Sequence, residues 1–129
     1  MFIPCERRII DILDAQPQLE FAVLIGSRAN GNTTAKSDWD IALQWSTQLS
    51  WLDRLAHTET LRRQLAHGIG VAETAIDLID LPRANLAMRA ATAEDGKPLT
   101  GADSLAWAHF LRRTWRDLED FYWDNSHAA

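Results

Sequence analysis

Three stretches of the chain have the hydrophobic pattern of β-strands, and they differ in how many faces they bury. Residues 20–25 are almost wholly apolar and end at Gly26, which predicts a strand buried on both faces. Residues 38–45 alternate between polar and apolar side chains, which predicts a strand with one apolar face and one face that starts with two carboxylates. Residues 74–81 form another apolar run, ended by Pro82, and predict a third strand.

Helical spacing of apolar residues predicts four helices around these strands. They cover residues 5–16, stopped before Pro17, residues 50–67, stopped at Gly68, residues 83–93 and residues 103–123. Residues 26–37 are small and polar and predict a loop with one helical turn, while residues 96–101 predict a turn with a short extended piece. This order predicts an α/β (α+β) fold, in which a small mixed β-sheet is flanked by helices.

Length and composition exclude several classes of protein. The 129 residues predict a single domain, residues 1–129, and the one cysteine excludes a secreted disulfide scaffold. No apolar run approaches the roughly 20 residues that span a bilayer, and the charged N-terminus does not have the pattern of a signal peptide. A net charge of −5 disfavours binding to nucleic acid in bulk. We therefore expect a cytoplasmic protein with no membrane contact.

Two carboxylates stand at the start of the alternating strand. Asp38 and Asp40 are two residues apart, so a strand places both side chains on the same face. Like charges this close are costly unless a cation lies between them. Mg²⁺ binds one or two carboxylates and keeps its other positions for water and phosphate oxygens. A third carboxylate from a neighbouring strand, such as Asp77, would complete a two-metal site for in-line displacement at phosphorus.

Gly26 and Ser27 stand where the first strand ends. Glycine lets the backbone approach a ligand closely, and the amides and hydroxyl that follow can hold a phosphate at the start of a helical turn. A Gly-Ser turn or an Asp-x-Asp pair alone is more often an ordinary turn or a solvated strand face. Their fixed spacing, and their places on successive strands, favour a functional site.

The combined pattern Gly26-Ser27-x10-Asp38-x-Asp40 lies within LIGSRANGNTTAKSDWDIAL. It resembles the signature of the DNA polymerase β-like nucleotidyltransferase superfamily, and more closely that of the minimal nucleotidyltransferase (MNT) proteins. The short length, the later IDLIDL strand and the aromatic C-terminal helix resemble the antitoxins of HEPN/MNT toxin–antitoxin pairs. The resemblance covers roughly residues 5–123, and outside the motif it rests on layout more than on identity.

The resemblance implies a role for each of five residues. Gly26 and Ser27 would hold the triphosphate of ATP. Asp38 and Asp40 would ligate Mg²⁺, and Asp77 would ligate a second Mg²⁺ and help to activate the attacking hydroxyl. The resemblance also implies the reaction and the partner: AMP is transferred from ATP to a tyrosine of a HEPN ribonuclease toxin, which is thereby neutralised.

The third acid requires a choice between Asp77 and Asp80. The two are three residues apart, so a strand turns them to opposite faces. Asp77 lies in mid-strand, as the third acid of the family does, whereas Asp80 is nearer the break at Pro82. We favour Asp77 and keep Asp80 as the alternative.

Two other functions stay open at this stage. The chain could be a non-catalytic antitoxin that acts by binding alone, although the intact motif and acids argue against a decayed site. It could also transfer nucleotides to a small hydroxyl compound. Such transferases usually carry an extra helical domain for the acceptor, and this chain has little beyond the minimal unit.

Two positions depart from the family pattern. Trp39 stands where an aliphatic residue is commoner, which we expect to alter the packing beneath the site. Asn30 stands where such loops often carry arginine, which leaves Arg28 and Lys36 as the candidate cations near the phosphates. Neither departure removes a ligand.

The C-terminal helix, about residues 103–123, is rich in large aromatic side chains. At about 100° per residue, one arc of this helix collects Trp107, Phe110, Leu111, Trp115, Leu118, Phe121 and Tyr122. We expect most of this arc to be core, whereas Trp123 lies off the arc on the side of Leu105. Because a small sheet cannot cover so many aromatic residues, and aromatics often anchor interfaces, we expect this helix to contribute to docking a partner.

Overall fold

The computed structural model describes residues 4–31 and 37–127. Over these residues the chain forms four α-helices and four β-strands. In chain order they are α1 (Cys5–Asp14), β1 (Leu19–Ile25), β2 (Trp39–Trp45), α2 (Trp51–Ile69), β3 (Ile76–Asp80), α3 (Leu86–Asp95), β4 (Lys97–Thr100) and α4 (Leu105–His127). Single 3-10 turns cover Gly26–Arg28, Glu73–Ala75 and Leu81–Arg83. No helix among the described residues combines the length and the apolar character needed to cross a bilayer.

The four strands form one mixed sheet in the order β3-β2-β1-β4. Strand β1 runs antiparallel to both β2 and β4, and β2 runs parallel to β3. The parallel pair is possible because α2 carries the chain back across the sheet between β2 and β3. The prediction of a small mixed sheet flanked by helices is therefore confirmed.

Helices cover both faces of the sheet. Helices α1 and α2 pack on one face through residues such as Ile9 and Leu61, which join the cluster of Ile41 and Leu43. The other face packs against α3 and α4. Its cluster contains Phe21, Val23, Ile25, Ala42 and Phe110, with Met88 and Trp107 packed against it. Because side chains alternate along a strand, Asp40 shares the second face with Ala42.

Strand β2 is more deeply buried than its alternating pattern predicts. Every residue of β2 except Asp40 is buried, including Ala42 and Gln44 on the face that carries Asp40. The predicted apolar face lies in the core, and the second face is buried as well because α3 and α4 cover this part of the sheet. The Gln44 side-chain amide is satisfied in place, since its nitrogen donates to the carbonyl of Trp45 at 3.0 Å.

The end of helix α2 differs from the predicted one at a glycine. The helix continues through Gly68 to Ile69, and Gly70 caps it in the left-handed conformation (φ 73°). Gly68 is instead a close-packing position, because a Cβ there would lie 2.6 Å from Cδ1 of Ile12 in α1. The short extended piece predicted within residues 96–101 is strand β4, which accommodates Pro98 because it is an edge strand and pairs only with β1.

Helix α4 is longer than predicted and packs over only its first half. Phe110 and Thr114 are buried, but every residue from 119 to 127 is exposed. Phe121 is 52% exposed and Tyr122 is 63% exposed, so the expectation that most of the arc is core is wrong for its C-terminal part. At a rise of about 1.5 Å per residue, the 23 residues of α4 extend beyond the edge of the four-stranded sheet.

Candidate active site

The candidate site forms where β2 and β3 run side by side. Their parallel register pairs Asp40 with Asp77, so the two carboxylates lie next to each other on the face that α3 and α4 cover. Partial burial raises the pKa of Asp40 above its ordinary value of 3.8. The negative charges of Asp77 and Asp38 raise it further, as does a hydrogen bond with Asp77. Two acids held this close are poised to share a cation or a proton.

Asp38 lies just before β2 and its side chain is exposed. It is near enough to add to the negative field at Asp40, so all three predicted acids collect at this end of the sheet. Within residues 4–31 and 37–127, however, no three His, Cys, Asp or Glu side chains are arranged as a ready metal-binding cluster. The Asp38 side chain therefore has to turn toward Asp40 if the two are to ligate one ion.

The donor chemistry of this cluster fits Mg²⁺. Carboxylate oxygens are the protein ligands that Mg²⁺ prefers. A cation between Asp40 and Asp77 would also offset the repulsion between them and replace the hydrogen bond that they share, and both of these raise the Asp40 pKa. Asp40 and Asp77 are the residues that could hold such an ion, with Asp38 as a further oxygen donor.

The Gly26 turn lies directly against Asp40. Ile25, the last residue of β1, pairs with Asp40 in the antiparallel ladder, and Gly26 follows it with a φ of +76°. A Cβ on Gly26 would lie 2.5 Å from Oδ2 of Asp40, so only glycine fits at this approach. Ser27 is the next residue of the same 3-10 turn and is half-buried. The predicted phosphate-holding residues and the carboxylates are thus neighbours.

A cavity of about 520 Å³ opens beside this turn. Its lining includes Gly26, Asn30 and two residues of α3, Ala91 and Asp95. A second cavity, of about 490 Å³, shares Ala91 and extends along α3 past Ile79 of β3. The sequence analysis missed these α3 residues. The signal that could have found them is the run of small residues on this helix, which leaves open space over the sheet.

The side chain of Arg28 forms contacts with two residues near the start of β2. Its Nε and Nη2 atoms donate to the carbonyl of Ser37 at 3.1 and 2.8 Å. Its guanidinium also lies 4.1 Å from the centre of the Trp39 ring. Trp39 is buried, so the residue that departs from the family pattern serves as a platform for Arg28. Lys36, the other candidate cation, lies outside the described residues.

Asp80 lies on the opposite face of β3, away from Asp40. Its Oδ2 accepts from Nε of Arg54 in α2 at 3.2 Å, and both side chains are about four-fifths buried. Its Oδ1 is buried with no hydrogen-bond partner among the described residues. Of the two acids considered for the third position, Asp77 is the one beside Asp40, and Asp80 fastens α2 to the sheet.

Replacing Asp80 with asparagine is expected to destabilise the chain by about 1–3 kcal/mol. The substitution leaves the largely buried guanidinium of Arg54 without its counter-charge. Urea unfolding would measure the loss, and nucleotide transfer per folded molecule should stay unchanged. A variant that keeps its stability but loses transfer would instead assign Asp80 to the site.

The raised pKa of Asp40 predicts how the stability of the metal-free chain depends on pH. A folded-state pKa above the unfolded value means that the ionised carboxylate lowers stability at neutral pH, and that this loss is recovered as pH falls through the folded pKa. In a chelating buffer, Asp40→Asn should therefore be more stable than the natural chain at neutral pH. Its advantage in urea unfolding should shrink as the pH approaches 3.8, the ordinary aspartate value. A difference that stays constant with pH would contradict this assignment.

Comparisons with known proteins agree with this geometry. The family model described as polymerase beta, nucleotidyltransferase matches residues 7–105. No curated protein matches the chain. A solved structure described as a toxin–antitoxin with AMP-PNP is 26% identical, with a TM-score of 0.71 over 94% of this chain and 92% of that one.

Two other solved structures share the fold at lower identity. The toxin–antitoxin MntA–HepT is 24% identical, with a TM-score of 0.64 over 95% of this chain and 91% of that one. A tri-AMPylated Shewanella oneidensis HEPN toxin in complex with an MNT antitoxin is 24% identical, with a TM-score of 0.65 over 95% of this chain and 90% of that one. The likeness in both cases extends over nearly the whole chain.

Proposed function

The chain belongs to the polymerase beta nucleotidyltransferase family, and on that basis we propose that it is a Mg²⁺-dependent antitoxin that transfers AMP from ATP to a tyrosine of a cognate HEPN toxin. The observation that carries the proposal is the Asp40–Asp77 pair beside the Gly26 turn. Carboxylates on a rigid sheet next to a glycine turn at a strand end suit displacement at phosphorus. An antitoxin that uses ATP to modify a ribonuclease toxin would act in the cytoplasm.

Each residue has a defined part in the proposed reaction. The backbone of Gly26 and the hydroxyl and amide of Ser27 hold the triphosphate against β2. The tyrosine oxygen forms a bond to the α-phosphorus, the bond from that phosphorus to the bridging oxygen breaks, and pyrophosphate leaves. Asp77 holds the attacking hydroxyl and accepts its proton, which then passes to solvent. When bound at these carboxylates, Mg²⁺ supplies charge stabilisation for the phosphoryl oxygens.

The choice of acceptor rests on the similar structures. One of them was solved with AMP-PNP, which supports ATP as the nucleotide, at 26% identity. Another is an MNT antitoxin in complex with a tri-AMPylated HEPN toxin, which supports both the partner and the modification. The cavities along α3 give room for a nucleotide, and one of them is lined by Gly26, which lies against Asp40.

The test is to incubate the chain with Mg²⁺, ATP and the protein encoded by the neighbouring gene, and to measure intact masses. We expect the acceptor to gain the mass of one or more AMP units, to lose this gain in EDTA, and to carry it on tyrosine by fragment mass spectrometry. A stable complex with no gain of mass would favour an antitoxin that acts by binding alone. Neither complex nor gain would favour a small hydroxyl acceptor and would contradict the proposed partner.

A further inference from the structure

Two segments of the chain leave the sheet side by side at the end that carries the acids. Ile25 of β1 pairs with Asp40 of β2, and these strands are antiparallel. The residues that follow Ile25 therefore run alongside the residues that precede Asp40. The first segment is the Gly26–Arg28 turn, and the second is residues 37–39, which present Asp38. The proposed phosphate site thus lies beside the segment that carries one of the three acids.

The side chain of Arg28 joins these two segments through contacts of two kinds. Its Nε and Nη2 atoms both donate to the carbonyl oxygen of Ser37, at 3.1 and 2.8 Å. Its guanidinium also lies over the ring of Trp39, 4.1 Å from the ring centre. Asp38 is the residue between Ser37 and Trp39. Arg28 therefore contacts the chain immediately before and immediately after this acid.

Both ends of this connection are anchored in the hydrophobic core. Trp39 is buried and belongs to the cluster on the face of the sheet that α1 and α2 cover. Ala29, the residue after Arg28, packs against the same cluster. The backbone on both sides of the exposed Asp38 is therefore fixed relative to the sheet. Turning this carboxylate toward Asp40 then requires only rotation of its own side chain.

We propose that Arg28 is a positioning residue, which holds Asp38 in place beside the Gly26 turn so that its carboxylate can join that of Asp40. This role rests on the proposed nucleotide transfer and adds a residue to it. Fixing a ligand group before the substrate binds favours the reaction, because the cost of ordering that group is met during folding. A guanidinium suits the task, since its planar edge donates two hydrogen bonds while its face lies on an aromatic ring, which an ammonium group cannot do.

A phosphate contact by Arg28 would respond differently to substitution. Such a contact depends mainly on positive charge, so Arg28→Lys would keep much of it and Arg28→Gln would lose it, and the KM for ATP would rise. A positioning role depends on the guanidinium geometry. Both substitutions should then lower the kcat of AMP transfer by about ten- to a hundredfold and leave the KM for ATP within about threefold of its natural value.

Transfer kinetics and amide hydrogen exchange together test the proposal. Without ATP or acceptor, Arg28→Lys should speed exchange in the peptide covering residues 37–41 by about tenfold and leave β1 unchanged. The matched control is Arg83→Lys. Arg83 also ends a 3-10 turn after a strand and lies over a tryptophan ring, 5.0 Å from the centre of Trp51, but at the end of β3 away from Asp77. The control should match the natural chain in both measurements.

The two measurements also separate this role from the proposed function. If the natural chain transfers no AMP, the proposed function fails, and unchanged exchange at residues 37–41 in Arg28→Lys would then overturn the anchoring role as well. If transfer occurs, natural kcat in Arg28→Lys would overturn the positioning role alone. A raised KM for ATP, smaller for lysine than for glutamine, would make Arg28 a phosphate ligand instead. Faster exchange throughout the chain, matched by a lower free energy of unfolding, would make it a structural residue only.

Discussion

Asp40→Asn is expected to lower AMP transfer by about a thousandfold or more, while the chain stays folded. Asparagine has nearly the shape of aspartate but lacks the charge that would hold the proposed cation against Asp77, to which Asp40 is paired in register. The loss corresponds to several kcal/mol of transition-state stabilisation, at about 1.4 kcal/mol per factor of ten. Initial rates of AMP incorporation at saturating ATP and Mg²⁺ would measure it.

The matched control for this substitution is Asp80→Asn. Both residues are aspartates of neighbouring strands and both lose one charge, but Asp80 faces Arg54 on the other side of the sheet. The control should retain transfer per folded molecule, and Asp40→Asn should lose it at equal or higher stability. Full transfer by Asp40→Asn would remove this carboxylate from the site.

Gly26→Ala is expected to lower transfer by about a hundredfold and to cost about 1–2 kcal/mol of stability or more. The positive φ of +76° strains any residue with a Cβ, and here the new methyl would also meet Oδ2 of Asp40 at 2.5 Å. Either the turn or the carboxylate must move, and each displacement would separate the proposed triphosphate site from the acid pair. Transfer rates and urea unfolding together measure the effect.

Gly70→Ala is the control that has the backbone strain of a positive φ without a steric clash. Gly70 has a similar φ of +73° at the end of α2, but a Cβ there would meet nothing within 4 Å. Its substitution should cost stability alone and leave transfer unchanged. Equal losses of transfer in the two variants would mean that Gly26 acts only through stability.

The acids could be placed on strands from the sequence, and Asp77 could be proposed as the third acid, but the register that brings it beside Asp40 could not be predicted. The period of two places Asp38 and Asp40 on one face, and mid-strand position favours Asp77. That Asp77 stands opposite Asp40 depends on a parallel register set by α2, between residues 37 apart in the chain, which no local pattern encodes. The geometry that turns Asp80 away follows from the same alternation once the strand is in place.

Other features were hidden because packing overrode local signals. Gly68 looked like a helix terminator, although it lies within α2 and fits against Ile12. The burial of Gln44 depends on α3 and α4, which come much later in the chain. The burial of β2 and the open space beside Ala91 each depend on how a helix packs on the sheet, and no single segment of the sequence encodes that packing.

The position of β3 at the edge of the sheet gives this chain a weak point that is separate from its core. β3 has five residues and pairs with β2 alone, so its amide protons should exchange faster than those of the central strand β1. An opening that frees β3 removes Asp77 while most of the hydrophobic core stays intact. Arg54 and Arg62 of α2 hold this strand, at Asp80 and at the carbonyl of Ile76, from the α2 side of the sheet. Loss of either contact should therefore speed amide exchange in β3 before it affects the rest of the sheet.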